Sequence, residues 1–198
     1  MNKLIAVVGA SGVGKTTLVR ALAKSFPFQT AYEQHAERPF QSLFKEDPRY
    51  ALANQIDYLL RCAEQEKELR ASQQNGLMDG GLDVDFHGFT RLFHRRGLLS
   101  DPELELCRRV YLVLRESLAP PELFVHLCAD EGTVMRRLSG RERINIARAE
   151  DTALFHALVK EWLDSVPRER VLELDVTDET LGYERSMQAI LDKLAKAE

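Results

Sequence analysis

The sequence predicts an α/β protein, a parallel β-sheet held between two layers of helices. Three observations lead there. The apolar runs LIAVV (4 to 8), NGLMD (75 to 79) and ELFVHLCA (122 to 129) show little polar alternation, as strands buried on both faces require. Longer stretches with apolar residues at helical spacing separate them. A glycine-rich turn joins the first strand to the first helix.

Taken in order, LIAVV closes at Gly9, and TTLVRALAKSF then sets Leu18, Leu22 and Phe26 at helical spacing before Pro27 stops the helix. QTAYEQ (29 to 34) reads as a second short strand ending near Glu33. Asp47-Pro48 starts a long helix, with Leu52, Ile56, Leu59 or Leu60, and Ala63 on one side. Its charge run from Glu64 to Arg70 reads as a solvated face. NGLMDGG returns to a strand and a turn, and a further helical stretch covers about 85 to 97, ending at Gly97. Ser100-Asp101-Pro102-Glu103 caps the helix LELCRRVYLVLRESL. Pro120-Pro121 breaks the chain before ELFVHLCA. The rest reads as a short helix ended by Gly140, a polar and basic stretch, the amphipathic ALFHALVKEWLDSV, the strand RVLELDV and a last helix.

Composition bounds the function. The 198 residues suit one domain, 1 to 198, and 44% hydrophobic with 29% charged residues are ordinary globular values. A net charge of −4 sets up no field that would draw nucleic acid. The apolar run in MNKLIAVVG stops at glycine, too short for a membrane span and without a cleavage site, so a cytoplasmic protein with no membrane partner is expected. Cys62, Cys107 and Cys128 lack CxxC spacing and read as buried thiols rather than a zinc site or disulfides. His35, His87, His94, His126 and His156 show no metal spacing. His126 reads as a core histidine and the others as surface groups, with His87 and His94 beside an acceptor pocket. Trp162 reads as core or as a dimer contact.

The motif that carries chemistry is GASGVGKT, residues 9 to 16, which fits G-x-x-x-x-G-K-[ST] between a strand and a helix. Gly9, Gly12 and Gly14 permit the tight backbone that aims amides at phosphates, and the helix start adds its positive end. Gly9, Ala10, Ser11, Gly12, Val13, Gly14, Lys15, Thr16 and Thr17 are thus expected to bind ATP. Lys15 would reach the β- and γ-phosphates and Thr16 would ligate Mg²⁺. RRLSGRER (136 to 143) suits a short arginine-rich lid, at about 139 to 150, whose cations stabilise charge on a phosphoryl group in transfer.

With GASGVGKTTL, YEQHAERPFQSLFKEDPRYALANQIDYLL, LMDGGLDVDFHGF and PELFVHLCADEGTVMRRLSGRER in this order, the chain resembles the deoxynucleoside kinases from Lys3 to about Val176. The resemblance implies a three-layer P-loop kinase fold on a five-stranded parallel sheet, ATP-dependent phosphorylation of the 5′-hydroxyl of a deoxynucleoside, and a homodimer. It makes Glu33 the general base, Gln55 the partner of the nucleobase, and Arg137, Arg141 and Arg143 the lid arginines that act with Lys15. Phe89 and Tyr50 match acceptor-side aromatics. Asp79 matches the acid of an Asp/Glu-Arg-Ser motif that organises Mg²⁺ or the phosphate network.

The arginine and serine of that motif are replaced by Gly80 and Gly81. Arg38, Arg91 or Arg95 could reach into the gap, the acceptor could differ, or transfer could have decayed while binding remained. Asp85 also matches an acid of the family and reads as a helix N-cap. Two other functions fit the same residues: a nucleoside monophosphate kinase of the thymidylate kinase type, and a nucleotide-binding sensor without turnover.

Overall fold

A computed structural model describes residues 2–32, 38–139, 151–180 and 182–196. Its centre is a sheet of five parallel strands, β1 (Leu4–Val8), β2 (Phe28–Ala31), β3 (Asn75–Asp79), β4 (Leu123–Cys128) and β5 (Val171–Asp175), in the order β2-β3-β1-β4-β5. β1 lies in the middle, with Val7 opposite both Asp79 and Val125. Its pleat explains why its sequence is apolar throughout. Ile5 and Val7 join one hydrophobic cluster, with Leu18 and Leu22 of α1 (Lys15–Ser25) and Ile190 of α9 (Glu184–Ala195). Ala6 and Val8 join another, with Phe155, Leu158 and Trp162 of α8 (Asp151–Asp164). Helices therefore cover both faces, the doubly covered sheet expected from the sequence.

A third cluster lies beside the sheet. Leu59 and Ala63 of α3 (Ala51–Ala71) pack there with Cys107 of α6 (Asp101–Ser117) and with Leu82, Phe86 and Phe93. The last three belong to one helical run made of α4 (Leu82–Val84), a π-helical turn (Asp85–Thr90) and α5 (Arg91–Arg95). At Gly88 in that turn a Cβ would come 2.6 Å from the Phe155 ring, so glycine lets the run close on α8. Ser100 and Glu103 form the expected capping box of α6, with the Ser100 amide 2.7 Å from the Glu103 carboxylate.

Several boundaries differ from the sequence expectation. β2 ends at Ala31, two residues short of Glu33. The long helix begins at Ala51, after a 3-10 turn over Pro48–Tyr50 whose amides Asp47 caps, with its carboxylate 2.9 Å from the Arg49 amide. A helix that the sequence reading lacked, α2 (Pro39–Glu46), starts at a proline, whose fixed φ and missing N–H suit a first helical position. α7 (Glu131–Ser139) follows β4. The expected lid lies, from residue 140 to 150, outside the described residues. No helix of the described chain is long and apolar enough to cross a membrane.

Candidate active site

The loop between β1 and α1 has Gly9, Gly12 and Gly14 at φ of 143°, 84° and 113°, where side chains are strained. At Gly9 space is closed as well, since a Cβ would lie 2.6 Å from the Leu127 carbonyl oxygen on β4. At Gly14 a Cβ would collide with the hydroxyl of buried Tyr183. Gly9, Ala10, Gly12, Val13 and Gly14 are buried, while Ser11, Lys15, Thr16 and Thr17 are half-buried. Lys15 Nζ donates to the carbonyls of Gly9 and Ala10 at 3.1 and 3.2 Å. The first turn of α1 contains no acidic residue, so its positive end keeps its attraction for anions.

β3 brings Asp79 to the same place, level with Val7 in the sheet. Asp79 is buried, its Oδ2 accepts a hydrogen bond from the Thr16 hydroxyl, and its Oδ1 is buried without any hydrogen-bond partner. A hydroxyl and a carboxylate with an unmet oxygen are the hard donors that Mg²⁺ takes, so the residues present fit that ion. α7 supplies Arg137, which donates to the Val13 carbonyl at 2.7 Å and the Val176 carbonyl at 2.9 Å. Lys15, Thr16, Asp79 and Arg137 thus converge at the carboxyl ends of the central strands, where ligands bind in open parallel sheets. Glu33, Arg141 and Arg143 fall outside the described residues.

On the expected acceptor side, Gln55 is buried in α3, and its Nε2 donates to Asp85 Oδ2 at 2.7 Å. The carboxylate partner fixes which end of the amide points toward Asp85. Asp85 follows α4 inside the helical run and faces α3 rather than standing before a first helical turn, which corrects its reading as an N-cap. Phe89 is half-buried with its ring 4.6 Å from Phe155. Tyr50 is half-buried, and its hydroxyl accepts from Arg49 at 3.0 Å.

The turn after Asp79 is supported in a way the sequence reading missed. Gly80 and Gly81 adopt φ of 90° and 132°. Arg38 does not fill the gap, being paired to Asp57 at 2.6 Å, and Arg91 is held by Glu161 at 3.0 Å. Arg95 is exposed. Arg115 of α6 comes in beneath instead. It binds both oxygens of Glu66 at 2.7 Å and Asp83 Oδ2 at 2.8 Å, while the Tyr111 hydroxyl donates to Asp83 Oδ1 at 2.8 Å. Glu66 is 0% exposed, which overturns the reading of the 64-to-70 run as a wholly solvated face. Burial works against the Arg115 charge, but the bonds to Glu66 and the charges of Asp83 and Glu66 outweigh it and hold the guanidinium protonated. A signal for this residue did exist. Arg115 stands four positions after Tyr111 on the helix, so the two share the edge of the inward stripe.

His87 is not a surface group either. It stacks on Trp162 with ring centroids 5.3 Å apart and planes 3° from parallel, and burial pushes its pKa down to about 4. Trp162 is a core residue, 6% exposed.

Comparison with known proteins agrees with this architecture. Residues 5–197 match the family model of deoxynucleoside kinases. A deoxyadenosine/deoxycytidine kinase of Bacillus subtilis (strain 168) is 24% identical over 201 residues, covering 98% of this chain and 92% of its own. A deoxyguanosine kinase of the same organism is 24% identical over 178 residues, covering 86% and 85%. The structure of a deoxyadenosine kinase from M. mycoides with bound dCTP superposes with a TM-score of 0.79 at 18% identity, over 98% of this chain and 99% of that one. The same enzyme with bound dATP gives 0.78 at 17% identity. The match of the family model over nearly the whole chain places this chain in the deoxynucleoside kinase family.

Proposed function

We propose that the protein is an ATP-dependent kinase that phosphorylates the 5′-hydroxyl of a deoxynucleoside. The observation that carries this is the meeting of Lys15, Thr16 and Asp79, with an unpartnered carboxylate oxygen, at the start of α1. Residues 9 to 17 bind the triphosphate through backbone amides and the helix end. Thr16 and Asp79 would hold Mg²⁺, which would supply positive charge against the phosphates. Glu33 accepts the proton of the 5′-hydroxyl. Lys15, Arg137, Arg141 and Arg143 stabilise the charge that spreads over the transferring phosphoryl oxygens. Gln55, with Asp85 beside it, reads the base edge, and Tyr50 and Phe89 bound the acceptor side.

The enzyme works in the cytoplasm as a homodimer. Exposed Leu60 on α3 and Leu106 and Val113 on α6, apolar side chains that water disfavours, support such an interface. A monomer in light scattering would remove the dimer and leave the chemistry untouched.

ADP release from Mg·ATP across deoxynucleosides, ribonucleosides and their monophosphates tests the activity. A single deoxynucleoside should stimulate release. Lys15→Ala and Glu33→Gln should each lower turnover by about 10²-fold or more, with Glu33→Gln still binding ATP. Stimulation by a monophosphate alone would instead identify a nucleoside monophosphate kinase. ATP binding without product from any acceptor would identify a sensor, to which Gly80 and Gly81 in place of the arginine and serine would then belong.

A further inference from the structure

On the face of β4 that α8 covers, the fold brings His156 to two side chains that lie close together on the strand. On β4 the pleat sends Leu123, Val125 and Leu127 into the cluster with α1, and Phe124 into the cluster with α8. His126 and Cys128 follow Phe124 by two and four positions, so they share the face that α8 covers. α8 brings His156 to them. The Cys128 sulfur is 3.6 Å from His126 Nδ1, the two imidazole rings are 5.7 Å apart, and ligand atoms of all three residues lie within 4.8 Å of one another. Glu173 on β5 adds a carboxylate 3.4 Å from His126 Nδ1.

We propose that His126, Cys128 and His156 form a binding site for a thiophilic divalent metal ion of the zinc class, with Glu173 as fourth ligand or as the group that orients His126. The chemistry matches the donors. Two imidazoles and a thiolate suit Zn²⁺ and not Mg²⁺ or Ca²⁺, which take oxygen. The geometry matches too: a tetrahedral zinc with bonds of about 2.0 Å to nitrogen and about 2.3 Å to sulfur sets its ligand atoms about 3.5 Å apart. His126 is buried, Cys128 half-buried and His156 exposed, so an ion enters from the solvent side and reaches the interior ligand last. Binding replaces the Cys128 S–H bond by a metal–sulfur bond and releases one proton to solvent. The ion would tie α8 to β4 at the level where His126 pairs with Val8, the residue before the phosphate loop.

The site is independent of the kinase assignment, and its test does not read activity. The full chain, stripped with chelator and kept in excess Mg²⁺, is titrated with Co²⁺ and then Zn²⁺. One Co²⁺ per chain should bind with a thiolate-to-metal charge-transfer band, and one Zn²⁺ should displace it. Cys128→Ser should abolish the band, and His156→Ala, at an exposed position where folding is not at risk, should abolish tight binding. Glu173→Gln should weaken binding about 10-fold if that carboxylate orients His126, and more if it ligates. Cys62→Ser and Cys107→Ser should bind as the parent does. No band at one equivalent, a band that survives Cys128→Ser, or unchanged affinity in His156→Ala would each overturn the proposal.

Discussion

Two groups of buried charge meet at the Gly80-Gly81 turn, and they differ in how their polar atoms are satisfied. On the sheet side, Asp79 leaves one buried oxygen without a partner, and Lys15 spends its ammonium on loop carbonyls. On the helix side, Glu66, Arg115, Asp83 and Tyr111 bond one another, with both oxygens of each carboxylate engaged. Buried polar groups are costly unless paired, so the second set is complete within the protein and holds shape. The first set keeps a carboxylate oxygen open to a further donor or cation, which supports the proposed phosphate and Mg²⁺ site. Arg115 does not stand in for the arginine that the family pattern expects at this turn, because its bonds go inward to Glu66 and Asp83.

Breaking the closed set should therefore cost stability and not selectively chemistry. Arg115→Met leaves Glu66 and Asp83 facing each other in the interior without their cation, and removing one partner of such a buried network costs about 3–5 kcal/mol. Urea unfolding is the measurement. A loss of that size, against a near-zero change for Lys15→Ala, would sharpen the contrast. A loss below about 1 kcal/mol would break it, because the network would then be no more than a surface cluster.

The same contrast explains what the sequence could carry. β1, the phosphate loop and α1 are contiguous, and their signals are local: an unbroken apolar run, three glycines and the lysine-threonine pair that opens the helix. The sheet order adds nothing that local pattern has to know. The Arg115 network is built from α3, the turn after β3, and α6, and although the Tyr111 to Arg115 spacing sets the arginine beside the inward stripe, its partners lie 49 and 32 positions away and no local spacing names them. Glu66 reads as solvated because its neighbours Glu64, Lys67 and Glu68 are charged, whereas the packing of α6 across α3 decides which of them is covered. His126, Cys128 and His156 stay invisible for the same reason: α8 must dock on β4 before their proximity exists. α2 escaped because it is only eight residues long, follows a polar stretch and buries no residue fully, although Phe40, Leu43 and Phe44 stand at helical spacing.

The edge of the closed network can be probed by pH. His87 touches Tyr111 through Nε2 at 3.4 Å and lies between Tyr111 and Trp162, and burial holds its folded pKa at about 4 against an ordinary 6.5. Because the folded value is the lower one, the unfolded chain binds the proton first as pH falls. The contribution to stability is complete above pH 6.5 and is lost progressively between 6.5 and about 4. Its ceiling is on the order of 3 kcal/mol. Glu66, raised by burial, changes in the opposite sense, so the readable quantity is the difference between the parent and His87→Phe, which keeps the stack on Trp162 and cannot titrate. The variant's stability should fall less steeply over that window. Parallel curves would mean that water reaches His87 and that the network is open on this side.

The smallest effect lies at the turn itself, where two reasons for a glycine separate. At Gly81 a Cβ would stand in ordinary contact with Met78 and Glu66, at 3.7 and 3.8 Å, whereas at Gly80 it would meet only Val84, at 3.9 Å. Space therefore does not demand glycine at Gly80, but its φ of 90° does, because an L side chain there strains the backbone. The turn also needs that backbone, since the Gly80 amide donates to the Val7 carbonyl at 2.9 Å and keeps Asp79 beside β1. Gly80→Ala should cost about 1–2 kcal/mol in urea unfolding, and Gly80→Asn less, because asparagine tolerates positive φ better than alanine. Equal costs would show that steric room limits the position after all. A smaller cost for asparagine would show that the turn keeps glycine for its conformation, and that the space left beside Asp79 is open to whatever the unpartnered carboxylate oxygen awaits.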